Sequence, residues 1–82
     1  MGSVFGPVWL SDMRVLSKEQ RARVASVVRT IEADPHPDGE HKRAAPSPFK
    51  SGTIVAIYVG LAVRYAIEAD GLRFYRVQRV ER

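Results

Sequence analysis

The sequence predicts an α+β fold: an antiparallel sheet of three to four strands, built by a C-terminal meander, with one or two N-terminal helices packed on one face. Three observations predict it. Val24, Val27, Val28 and Ile31 recur at i, i+3, i+4 and i+7, which is the stripe of an amphipathic helix. Leu61, Val63, Tyr65 and Ile67 alternate with Ala62, Arg64, Ala66 and Glu68, the period of a half-buried strand. Asp70-Gly71 separates that run from another containing Phe74, Tyr75 and Val77, a hairpin signal. At 82 residues the expectation is one domain spanning 1–82.

The elements follow in order. Phe5, Val8 and Trp9 belong to an apolar run broken by Gly6-Pro7, and because proline cannot donate to a ladder a brief strand is expected at 8–10, after it. Ser17 stands three residues before Gln20, a capping box that opens a helix over 17–33. Asp34-Pro35 ends it. Its opposite face carries Lys18, Arg21, Ala25 and Arg29, the pattern of a solvated surface. Residues 34–52, punctuated by Pro35, Pro37, Pro46 and Pro48, are a loop long enough to require a functional account. The meander occupies 53–80, with Gly60 and Asp70-Gly71 at its turns. The helix stripe then covers the sheet face bearing Leu61, Val63, Tyr65 and Ile67, and the other face, with Arg64 and Glu68, is left open.

Composition excludes several classes. A chain of this size buries only roughly 60% of the surface its unfolded form exposes, so it does not house a large cofactor beside its core. Without cysteine there is no disulfide framework, thiolate nucleophile or cysteine zinc site, and without asparagine no N-glycosylation. The longest apolar stretch, 53–62, is far short of the roughly 20 residues of a spanning helix. The N-terminus lacks the charged region and apolar run of a secretory signal. A soluble, cytoplasmic protein with no membrane partner, no cofactor and no metal is the expectation.

Net charge is +4, and ten of the thirteen basic residues are arginine. Arginine forks suit phosphate and carboxylate recognition, although a high-GC genome inflates arginine as well. Arg73, Arg76, Arg79 and Arg82 against Glu81 give the last strand a surplus of three positive charges. Strict alternation sends Arg73 and Arg79 to one face and Arg76 and Arg82 to the other. Such a strand, interleaved with Phe74 and Tyr75, suits RNA binding by phosphate pairing and base stacking. It equally suits a charged edge strand that blocks aggregation. Lys42, Arg43 and Lys50 either extend the basic strip or are ordinary loop charges. His36, Asp38, Glu40 and His41 lie in one hexapeptide but match no metal-ligand spacing. Tyr65 falls in the apolar alternation and reads as core, whereas Tyr58 and Tyr75 are better placed for exposure.

The segment Ala33-Asp34-Pro35-His36-Pro37-Asp38-Gly39, followed by Ile57-Tyr58-Val59-Gly60-Leu61-Ala62-Val63-Arg64-Tyr65-Ala66-Ile67 and Leu72-Arg73-Phe74-Tyr75-Arg76-Val77-Gln78-Arg79-Val80, resembles the RelE/ParE toxin superfamily. There a helix ends in LxxDPxPxG, and strands of the types LRVGxYRVLYEI and VxVxxVGRV follow. The chain looks like a short, divergent member. What the resemblance implies is the toxin of a type II toxin–antitoxin system, bacterial and cytoplasmic, held by a cognate antitoxin. Many such toxins cleave ribosome-bound mRNA without metal; a ParE-like branch inhibits gyrase instead. The alternatives are therefore a metal-independent endoribonuclease, a gyrase inhibitor, and a non-catalytic interaction module that has kept the fold. Homodimerisation is a further open option.

Carried over by position, Gly60 matches the turn glycine, Tyr65 the tyrosine of YEI, and Arg79 the arginine of the final strand. The resemblance thus implies Arg79, Arg64 and Tyr75 as catalytic, with Arg73, Arg76, Lys50, Lys42 and Arg43 holding RNA phosphates. Ala62 stands where the family carries a strand arginine, and Arg64 lies two residues on. The family's first helix is expected to be abbreviated to 11–16, and its C-terminal acid–base tail has no counterpart after Arg82.

Overall fold

The computed structural model describes residues 2–45 and 52–80. Lys50 and Arg82, two of the basic residues singled out by sequence, lie outside them.

The capping box forms as the sequence requires. Gln20 N–H donates to Ser17 Oγ at 3.1 Å and Ser17 N–H to the Gln20 side chain at 3.0 Å, and the helix runs over Lys18–Ala33. A shorter helix precedes it. Labelled in chain order, the elements are β1 (Gly2–Phe5), α1 (Pro7–Arg14), α2 (Lys18–Ala33), β2 (Lys42–Ala44), β3 (Thr53–Tyr58), β4 (Leu61–Glu68) and β5 (Gly71–Arg79). The sheet has the order β1-β5-β4-β3-β2. β1 pairs with β5 in parallel, and every other pair is antiparallel.

Three expectations are corrected here. Residues 8–10 are helical: Pro7 takes the first helical position, where its missing N–H costs nothing, and Leu10 N–H closes the first turn on Gly6 at 3.2 Å. The N-terminal strand is instead formed by the residues before Gly6. This α1 also supplies the first helix where only a remnant over 11–16 was expected. Among the described residues the sheet has five strands and is mixed, because β1 adds one edge and the short β2, formed within the 34–52 loop, adds the other.

The core unites α1, α2 and one sheet face. Val24, Val27, Val28 and Ile31 pack with Leu61, Val63, Tyr65, Leu72 and Phe74, joined by Trp9 and Leu16. Phe5 stacks on Phe74 at 5.0 Å and Trp9 tilts against both. The buried Tyr65 hydroxyl donates to the Pro35 carbonyl at 2.6 Å, tying the segment after α2 to the sheet. Burial pushes that phenol above its ordinary pKa, so the group stays a donor at physiological pH.

Gly71 has a second task besides ending the β4–β5 turn. Its φ is +152°, and an added Cβ would lie 2.0 Å from the Gly2 carbonyl oxygen, because β1 passes directly beside it. Gly71→Ala is therefore expected to cost more than about 1 kcal/mol and lower Tm by roughly 4–8 °C for each kcal/mol. Amide exchange should localise the loss to residues 3–5. An unchanged Tm with protected β1 amides would contradict this packing.

Candidate functional site

Helices cover one face of the sheet, and what remains open is set by a single irregularity. β4 and β5 pair Ala66 with Arg73 and Tyr65 with Phe74, and then Arg64 with Arg76, so that Tyr75 is an extra residue, a β-bulge. Beyond it Val63 pairs with Val77 and Ala62 with Gln78. Cross-strand partners share a face, so Arg73 and Arg76 both stand on the open side. The expected split of these two between faces is thereby corrected. Arg79 pairs with the buried Leu61, at the opposite face from Arg64 and Arg76, and is exposed.

Following the register across the sheet gives one row: Arg43 opposite Val55, Val55 opposite Arg64, and Arg64 opposite Arg76. Neighbouring strands are about 4.8 Å apart, so three arginines from β2, β4 and β5 line a strip across four strands. Arg73 stands one open-face row away and pairs with Glu68 at 3.1 Å. Tyr75, half-buried at the bulge, adjoins Arg76 in the chain.

Arg76 is held from outside the sheet. Asp12 of α1 accepts its Nε at 3.1 Å and its Nη2 at 2.9 Å, and also accepts the Val77 backbone N–H at 3.1 Å. The carboxylate thus fills the edge of β5 where β1 has ended. The Arg76 hydrogen bonds, opposed by partial burial, hold Asp12 below its usual carboxylate pKa, and the same contact raises Arg76.

The loop before β2 is organised by Asp38. Its Oδ1 accepts backbone N–H groups from Glu40, His41 and Lys42 at 2.9, 2.9 and 3.0 Å, while Asp38 and Gly39 N–H groups bond back to the Lys42 carbonyl. Lys42 is 4% exposed, and its ammonium donates to the Asp34 carbonyl with Asp38 at 3.9 Å. The expectation that Lys42 holds phosphate is corrected on this geometry, because its charge is turned inward to close the loop. Arg43, the next residue, faces outward and donates Nε to the Gly39 carbonyl at 3.1 Å.

Where β2 meets the β3–β4 turn, His41 stacks on Tyr58 at 4.7 Å with 24° between the rings. A shallow groove runs beside them between Arg43, Val55, Ile57 and Val59. In the sequence His41 and Asp38 read as residues of a charged loop, and nothing marks Asp12, because spacing carries no signal for a contact across 64 positions. Among the described residues no three His, Asp or Glu side chains come together as a metal site. No helix there is long and apolar enough to cross a membrane.

The three backbone N–H groups, foremost that of Lys42, pull the Asp38 carboxyl down to about 2 from 3.8. A depressed folded-state value means that its contribution is complete above about pH 4 and is lost as pH falls through about 2. NMR titration of the side-chain carboxyl should give a midpoint near 2, with the amide shifts of residues 40–42 following the same curve. A midpoint near 3.8 would contradict the capped loop.

No protein-family model matches the sequence, and no curated protein matches it. Among solved structures, the fold is similar to a chain in the crystal structure of the RelB-RelE antitoxin-toxin complex from Methanococcus jannaschii, with a TM-score of 0.64 and 10% identity over 93% of this chain and 88% of that one. At that identity the likeness is one of fold alone, between this chain's two helices and five-stranded mixed sheet and a chain of that complex.

Proposed function

We propose that this chain is the toxin of a toxin–antitoxin pair, acts on RNA through its open sheet face, and is restrained by an antitoxin protein that masks that face. The observation that carries the reading is the cross-strand row of Arg43, Arg64 and Arg76 on the sheet face opposite the core, with Arg76 tethered to Asp12 at the edge. The likeness to a chain of a RelB-RelE complex supports the toxin–antitoxin setting.

Guanidinium forks bind phosphate oxygens with paired donors, and a strip of them follows a single strand without reading its sequence. Asp12 occupies the Nε and Nη2 donors of Arg76 and so fixes its plane, and the Nη1 donors are the ones assigned to the phosphate. In the cleavage reaction the ribose 2′-oxygen bonds to the adjacent phosphorus as the P–O5′ bond breaks, giving a 2′,3′-cyclic phosphate and a 5′-hydroxyl; the proton lost from the 2′-hydroxyl is balanced by the one gained at the departing 5′-oxygen, and Arg64 and Arg76 stabilise the charge that develops on the phosphoryl oxygens. Tyr75 is the proton-transfer group nearest to Arg76 in the chain. Arg79, on the other side of the strand, is assigned no contact with the phosphate.

A non-catalytic interaction module is the second reading. It is favoured by Ala62 at the position of the family's strand arginine, and by the carboxylate partners that Arg73 and Arg76 already have. Induced expression in a bacterial host should arrest growth, and Arg64→Ala should relieve the arrest. With purified protein the same substitution should flatten the slope of log affinity for single-stranded RNA against log salt by about 0.7. Normal growth on induction of the unaltered chain would sink the toxin reading, and RNA binding without cleavage would favour the module.

A further inference from the structure

We propose that the groove at the β2–β3 edge is a nucleobase subsite, taking an unpaired RNA base whose phosphate rests on Arg43 and Arg64. The inference builds on the RNA reading of the open face and adds where a base goes.

Four observations meet there. Ile57 and Val59 are 48% and 69% exposed, an apolar surface set among charged residues. The His41 ring is stacked on Tyr58, and its side chain is 48% exposed, which leaves ring surface for another planar group. Base stacking on aromatic rings accepts any base, because each has a π-face. Arg43 closes the rim of the groove and belongs to the same cross-strand row as Arg64, within two strand spacings, about 10 Å. Its Nε bond to Gly39 steadies the fork beside the groove.

The fourth observation is backbone strain. Val59 and Gly60 form a two-residue turn with φ values of 44° and 78°, the geometry of a type I′ hairpin that favours Asn and Gly. A β-branched residue at positive φ is unfavourable, yet it is this side chain that walls the groove. Strain of this kind persists where the surrounding structure over-determines it, and it clusters at ligand-binding sites.

The test is an NMR titration of the isotope-labelled chain with hexauridylate and with an abasic ribose-phosphate hexamer of equal length and charge. Both should shift the resonances of Arg43, Arg64 and Arg76, and only hexauridylate should shift those of Ile57 and Val59. His41→Ala should weaken hexauridylate about tenfold and leave the abasic strand unchanged. Equal affinity and equal shifts for the two strands would overturn the subsite while leaving the phosphate row intact. No binding by either would remove the RNA reading itself. If the groove resonances ignore both strands and respond only to an antitoxin protein, the groove is a protein-docking surface and the subsite is wrong.

Discussion

Phe74 and Val77 stand three residues apart on β5, and both are buried, at 0% and 1% exposure. A regular strand sends residues at that separation to opposite faces. The extra residue Tyr75 resolves the conflict by shifting the register once, between the Tyr65–Phe74 and Arg64–Arg76 pairs. Burial of two large apolar side chains is worth several kcal/mol in total, far more than a local ladder irregularity costs. Everything on the open face follows from that shift, since it gathers Arg73 and Arg76 on the side of Arg64 and turns Arg79 away.

The bulge also needs a partner at the sheet edge. β1 pairs only as far as Phe74, and the next exposed donor, Val77 N–H, meets the carboxylate of Asp12. Asp12 thereby links three levels: it caps the part of β5 that lies beyond β1, anchors α1, and fixes the plane of Arg76. From the central β4 and the far edge strand β2, Tyr65 and Lys42 do comparable work, holding the Pro35 and Asp34 carbonyls so that the chain after α2 returns to the sheet as β2. A basic face on four strands is then available to a ligand, and the groove beside β2 exists because that last strand was added.

Much of this was legible in the sequence and some of it was not, for physical reasons that can be named. Ser17 and Gln20, the 24-27-28-31 stripe and the 61-63-65 alternation are local signals, and α2, β3, β4 and β5 follow from them. Val8, Trp9 and Leu10 are three apolar residues in four, too short a run to carry a period, so the helix there was concealed and Pro7 pointed equally to a strand edge. Gly2-Ser3 and Lys42-Arg43-Ala44 have no strand propensity of their own, and β1 and β2 form because neighbours offer them a ladder. At the site, a period of two misplaced Arg73 and Arg76. The spacing of Leu72, Phe74 and Val77 was the available clue, since the apolar interval changes from two to three at the bulge. Arg64 could be found from its strand alone, whereas Asp12 could not.

The register beyond the bulge is the point on which the basic face depends, and a cysteine-free chain makes it directly measurable. In the bulged register Ala62 and Gln78 are opposed on the open face; without the bulge Gln78 would shift by one residue to the other face. The doubly substituted chain Ala62→Cys/Gln78→Cys should therefore form an intramolecular disulfide on mild oxidation of the folded protein, read as the loss of two hydrogens by mass spectrometry. Two free thiols persisting under the same conditions would contradict the shared face of Arg64 and Arg76.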